Sequence, residues 1–214
     1  VKVGLRFDAP LKVHLLPLNQ RWRQVNVTHN GPDPEFDVNC DSTPVSIRAT
    51  ICGVEELDRH QNNGVTHVLS ILDPVSLDPE ALMRFPSHAR TTLRFHDEID
   101  PGPGIILPQR GHIAAIVAVA QTLVSQSNGT TPHLLVHCQM GISRSTAAAA
   151  ILLAVFNPEE SESEIFSRVL ALRDQAWPNC RMIALADELL QRSGQMSAAL
   201  GSLYAKQVTR DPDI

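Results

Sequence analysis

The chemistry this sequence offers rests on one cysteine and one arginine. Cys138 and Arg144 are separated by the five residues Gln139-Met140-Gly141-Ile142-Ser143. The apolar run ahead of them, Leu134-Leu135-Val136-His137, reads as a buried strand, and Ser145-Thr146 followed by alanines 147–150 reads as the start of a buried helix. A strand, a tight loop and a helix start form an anion cradle, because successive backbone N–H groups turn inward and the helix dipole adds partial positive charge. Cys138 lies at its base, in a setting that favours the thiolate, the nucleophilic form of cysteine. Arg144 closes the rim with a planar fork that can hold two phosphate oxygens. A thiolate beneath a phosphoryl group is an in-line nucleophile. Ser145 can donate to the sulfur and make it a better leaving group. His137 reads as a loop organiser rather than a base. The plainer alternative is a buried structural cysteine beside an arginine on a helix end. Strand, glycine and Ser-Thr helix start together weigh against that.

The run His137-Cys138, five residues, Arg144-Ser145 resembles the active-site loop of the cysteine-based protein tyrosine phosphatases. The surroundings resemble the compact dual-specificity-type and bacterial tyrosine phosphatase-like members most. The resemblance implies a phosphomonoester hydrolase, a protein tyrosine or dual-specificity phosphatase working through a cysteinyl-phosphate. It implies that Gln139, Met140, Gly141, Ile142, Ser143 and Arg144 bind the phosphate, that the substrate is a phosphorylated protein or small phosphomonoester, and that no cofactor or metal is needed. It also calls for a carboxylic acid to protonate the leaving oxygen. In the family this is an Asp just after a strand, a few tens of residues before the cysteine. Asp97, directly after Leu93-Arg94-Phe95, matches that position; Asp100 is the alternative and Glu98 the third candidate. The turn Trp177-Pro178-Asn179 approaches the active-site loop in related folds. That makes Asn179 a candidate for positioning water, though the simpler expectation gives it no such role.

Three other readings stay open. A phosphoinositide or inositol-phosphate phosphatase uses the same loop with basic residues inside it, and 139–143 contains none. A non-catalytic phosphate-binding module would not need Cys138, Arg144 and Ser145 together. A sulfur-transfer enzyme also places a cysteine at a helix start, but the Arg spacing and the following Ser favour phosphate.

Composition narrows the rest. The formal net charge is −5, so there is no global pull toward nucleic acid or an anionic membrane. Attraction for phosphate must be local. Only Lys2, Lys12 and Lys206 are lysines. The four cysteines, Cys40, Cys52, Cys138 and Cys180, form no metal-ligand spacing. A reducing, cytoplasmic setting suits a nucleophilic thiol. His133 and His137 would lie about 13 Å apart on a strand, too far for one metal. Arg168 and Arg173 read as a solvated helix face that could add charge near the pocket.

To position the loop, the chain needs a parallel sheet. The fold expected is α/β, a central, mostly parallel sheet of four to five strands flanked by helices. Strands are predicted at 45–51, 65–72, 91–95 and 134–137, and helices at 54–61, 108–125, 145–156, 160–175 and 181–193. Residues 78–88 carry a helical turn or two before Pro86. The catalytic domain is placed at 45–193. Residues 1–44 form an extension of unassigned role, with short strands predicted at 1–7 and 11–16. Residues 194–214 form a polar tail expected to fray, apart from a short helix near 197–204. The oligomeric state is left open.

Overall fold

The computed structural model describes the backbone of residues 27–28, 35–40, 43–126 and 131–211, with side chains from residue 47 onward except near 126–130. The strands predicted at 1–7 and 11–16 lie outside the described residues. Six strands form one sheet: β1 (Val27–Thr28), β2 (Glu35–Cys40), β3 (Thr43–Gly53), β4 (His67–Leu72), β5 (Ala89–Arg94) and β6 (His133–Cys138). Their order is β1-β2-β3-β6-β4-β5. The four strands β3, β6, β4 and β5 run parallel, as the α/β reading expects. β2 pairs antiparallel with β3, and β1 with β2. Among the described residues upstream of 45, β1 and β2 therefore extend the same sheet.

β6 sits at the centre because it is apolar on both faces, and all six of its residues are buried. Alternation sorts them. Leu134, Val136 and Cys138 enter the main core with Ile51, Leu69 and Ile71. Leu135 enters a smaller core with Cys52, Val68, Leu57 and Phe85. That smaller core lies under two 3-10 helices, Val54–His60 and Glu80–Arg84. The main core is covered by α1 (Arg110–Gln126), α2 (Arg144–Phe156), α3 (Glu162–Leu172), α4 (Cys180–Leu189) and α5 (Gln195–Arg210).

In α2, which follows the loop directly, every residue except Val155 is buried. The alanines 147–150 let α1, α3 and α4 all pack against it. α5 contains the short helix expected near 197–204 but runs beyond it at both ends in place of the frayed tail. It is sixteen residues long and places Met196, Leu200 and Leu203 in the main core. Its first turn is anchored by Asp187, whose carboxylate accepts from Gly194 N (2.8 Å) and Ser197 N (2.9 Å). Leu203→Ala should therefore lower stability by about 2–5 kcal/mol, the cost of emptying a buried leucine site. Urea unfolding checks this, since a frayed tail would show no change.

Candidate active site

The C-terminal ends of β3, β4, β5 and β6 converge on the loop 138–144, the edge where ligands bind in parallel sheets. The loop is defined by what its carbonyls do. Val54 N donates to Gln139 O at 3.0 Å, Trp177 N to Ile142 O at 2.9 Å, and Asn179 N to Ser143 O at 3.3 Å. Arg173 Nη2 donates to Met140 O at 3.2 Å. Thr146 Oγ1 also donates to Ile142 O, and to Ser143 O at 2.9 Å. In a planar trans peptide the N–H points opposite to the C=O. Outward carbonyls at 139, 140, 142 and 143 thus turn the amides of Met140, Gly141, Ser143 and Arg144 toward the interior of the loop. Gly141 has φ +72°, and a Cβ there would lie 2.5 Å from the Cys52 carbonyl carbon. The loop passes against the end of β3 in backbone contact.

Inside the loop, Cys138 is buried and its Sγ lies 3.2 Å from Ser145 Oγ. Arg144 is buried as well. Its Nη1 donates to Asp73 Oδ1 at 2.6 Å and to Phe95 O at 2.8 Å. Its Nε is buried without a hydrogen-bond partner among the described residues, 3.7 Å from Asp97 Oδ2. Ser143 stands at the N-cap of α2, yet its side chain caps nothing. The hydroxyl donates to Asp97 Oδ1 at 2.7 Å instead. The first amides of α2, which lack intrahelical acceptors, are thereby left to a ligand.

Asp97 is the acidic candidate that the structure brings to the loop. Besides Ser143 it accepts from Asn179 Nδ2 at 2.8 Å. Asn179 is thus part of the site, and its own Oδ1 caps α4 through Met182 N at 3.1 Å. Glu98 and Asp100 are exposed, and no hydrogen bond joins them to the loop among the described residues. The segment that carries these acids closes at its neck. His96 N donates to Ile106 O at 2.8 Å, and Ile106 N donates to His96 Nδ1 at 2.9 Å. His137 shares a 2.7 Å hydrogen bond with Ser70 Oγ, and burial pushes its pKa down to about 4. It is a neutral organiser of the β6 end. Burial, reinforced by the Glu56 carboxylate, pushes the Cys52 thiol up to about 12, so it stays protonated beside the loop. No group of side chains suited to a metal ion occurs among the described residues.

No protein-family model matches the sequence, and no curated protein matches it. Solved structures do. Human DUSP28 aligns at 17% identity with a TM-score of 0.51, covering 67% of this chain and 92% of that one. A mouse putative dual specificity phosphatase complexed with zinc tungstate aligns at 18% identity with a TM-score of 0.49, covering 72% of this chain and 86% of that one. The chain has the fold of the cysteine-based dual-specificity phosphatases.

Within this phosphatase fold, Asp73 and Glu56 join the loop without having been expected there, and Arg173 joins it as the alternative of added charge near the pocket allowed. Asp73 follows the apolar strand β4; its position at a parallel strand's C-terminal end was the available signal. Arg173 belongs to the loop's outer wall rather than to a solvated face. Its Nη1 meets Glu56 Oε1 at 3.0 Å while its Nη2 holds Met140 O. Glu56 Oε2 in turn accepts from Gly53 N at 2.7 Å. Burial alone would raise the Glu56 carboxyl, but the bonds from Arg173 and Gly53 outweigh it and hold it below the ordinary value. Arg168 pairs instead with Glu160 at 2.8 Å, away from the loop.

Two outcomes follow from this geometry. Gly141→Ala should destabilise the protein by about 2 kcal/mol or more, through both the positive φ and the clash with Cys52, and should lower phosphate-analogue affinity. Thermal unfolding with and without vanadate reads both effects. The second concerns His137, whose folded pKa of about 4 lies below the ordinary histidine value of about 6.5. The unfolded chain binds the extra proton first. Stability is therefore full above about pH 6.5 and falls toward pH 4, by roughly 3 kcal/mol at the lower end. His137→Gln should flatten that stretch of the urea-derived stability curve.

Proposed function

We propose that the protein is a metal-independent phosphomonoester hydrolase, acting as a protein tyrosine or dual-specificity phosphatase through a cysteinyl-phosphate. The observation that carries this reading is the set of outward-bound carbonyls at 139, 140, 142 and 143 around a buried Cys138. It leaves a ring of amides over the sulfur, and that ring is a phosphate site without a cation. The fold likeness agrees with it.

In the proposed reaction the phosphate dianion takes the inward amides of 140, 141, 143 and 144 and the Nε of Arg144, which has no hydrogen-bond partner among the described residues. Asp73 and Phe95 O hold the other side of that guanidinium, so it needs no reordering when the anion arrives. The Cys138 thiolate attacks phosphorus, the S–P bond forms and the ester P–O bond breaks. Asp97 gives its proton to the leaving oxygen. In the second step a water attacks phosphorus and passes its proton to Asp97. The S–P bond breaks, and Ser145 Oγ, 3.2 Å from the sulfur, stabilises the departing thiolate. Asn179 and Ser143 keep Asp97 at the rim through both steps. They act as positioning residues.

The substrate is a phosphorylated protein or a small phosphomonoester. Polyanionic inositol phosphates fit less well, because 139–143 brings no basic side chain. Among the described residues no helix is long and apolar enough to cross a membrane.

With para-nitrophenyl phosphate, Cys138→Ser should show no measurable turnover. Asp97→Asn should lower kcat by about 10²–10³-fold with KM little changed, while Asp100→Asn stays near wild type. The reverse pattern would move the acid to Asp100. Binding of vanadate without any turnover by the wild type would leave a phosphate-binding module in place of an enzyme.

A further inference from the structure

Asp97 rides on a segment, residues 96–109, that runs from the end of β5 to the start of α1. The bonds at its neck, between His96 and Ile106, lie within the segment. They set its shape and leave its position beside Cys138 to other contacts. Arg181, in the first turn of α4, supplies two of these. Its Nε donates to Pro108 O at 3.0 Å and its Nη1 to Ile99 O at 3.4 Å. One guanidinium thus spans the outgoing limb and the returning limb. Among the described residues no other hydrogen bond joins 98–105 to another element. Packing holds this limb only loosely. Ile99 is 46% exposed and borders an open cleft of about 440 Å³ shared with Cys180, Leu200 and Tyr204.

The remaining tethers end on the Asp97 carboxylate itself. Its Oδ1 accepts from Ser143 Oγ at 2.7 Å and from Asn179 Nδ2 at 2.8 Å, and its Oδ2 faces Arg144 Nε at 3.7 Å. All three draw on the negative charge, since a hydrogen bond to an ionised acceptor is roughly twice as strong as a neutral one. A general acid must carry its proton when it acts. Protonating Asp97 weakens the two hydrogen bonds and removes the attraction to Arg144, whose Nε then turns to the phosphate. These tethers are therefore weakest in the state that has to donate. The carbonyls of Ile99 and Pro108 do not titrate, and a guanidinium stays charged. The grip of Arg181 is the same in both states.

We propose that Arg181 is a positioning residue for the general acid, keeping the 96–109 segment against the active-site loop while Asp97 is protonated. This rests on the phosphatase reading and adds to it the device that holds the acid in place. Arg181 bonds the backbone of the segment and acts through Asp97.

The test uses the full chain and two esters. The phenoxide of phenyl phosphate needs a proton to leave, whereas the leaving group of para-nitrophenyl phosphate needs less help. Arg181→Met keeps the aliphatic stem and removes the donors. It should lower kcat on phenyl phosphate about tenfold with KM little changed, a part of what a placed acid supplies. On para-nitrophenyl phosphate the loss should be about threefold or less. In the Asp97→Asn background, Arg181→Met should cost para-nitrophenyl phosphate turnover nothing further, because its effect passes through the acid. The proposal is overturned if Arg181→Met leaves phenyl phosphate turnover at the wild-type level or lowers both esters by the same factor. It is also overturned if the loss on para-nitrophenyl phosphate is the same with Asp97 as with Asn in its place. Should the wild type hydrolyse neither ester, the phosphatase reading fails, and hydrogen exchange decides the tether separately. That measurement uses the Asp97→Asn background, whose neutral side chain stands for the protonated acid. Faster exchange of the 96–107 amides on adding Arg181→Met upholds the tether, and unchanged exchange ends it.

Discussion

The site depends on a commitment made by four backbone carbonyls. A C=O taken out of water must find a donor or cost free energy comparable to a lost hydrogen bond, and each of these four has one. In residues 139–143 those donors come from outside the loop: Val54 after β3, Arg173 at the end of α3, and Trp177 and Asn179 ahead of α4. The loop is curved around an interior that offers amides because its exterior has already taken the carbonyls. Removing one donor would free a peptide to rotate and so cancel one contact in the interior. The surrounding fold can be understood as the means of delivering those donors. β3 and β6 run in parallel register, so that Gly53 pairs with Cys138 and Val54 arrives beside Gln139. The alanines of α2 bring α3 and α4 close enough for Arg173 and Trp177 to reach the loop.

The electrostatics follow the same economy. In a chain of net charge −5 any attraction for phosphate must be local. Arg144 is the cation within the loop, and its side chain is 4% exposed. Burial strengthens what it does for an anion and demands that it be held meanwhile. Asp73 and Asp97 do the holding from two sides.

How much of this could be read in advance divides along chain distance. Cys138, Arg144, Ser145 and the strand-to-helix context are all within a few residues of one another, and local spacing revealed them. Asp97 was legible from its place just after a strand. Asp73 was visible only as the end of β4, because its contact with Arg144 spans 71 residues. The Glu56–Arg173 pair spans 117, and no local pattern announces such a contact. α5 was legible only in part: a short helix near 197–204 was expected, but its polar composition hid its length and its place in the core. Its buried positions Met196, Leu200, Leu203 and Gln207 fall at helical spacing, and a periodicity argument would have found them where composition did not.

The last helix reaches further than its position at the end of the chain suggests. Trp177 stacks on Tyr204 with ring centroids 4.3 Å apart, and the Tyr204 hydroxyl donates to Pro178 O. Gln207 Nε2 donates to Asp174 O and Ala176 O at 2.8 and 3.0 Å. The same short segment then hands Trp177 N to Ile142 and Asn179 to Asp97. α5 is in effect a splint for the segment 174–179 that flanks the loop. A truncated chain that stopped before it would still possess every reactive group, yet the brace behind Trp177 and Asn179 would be gone.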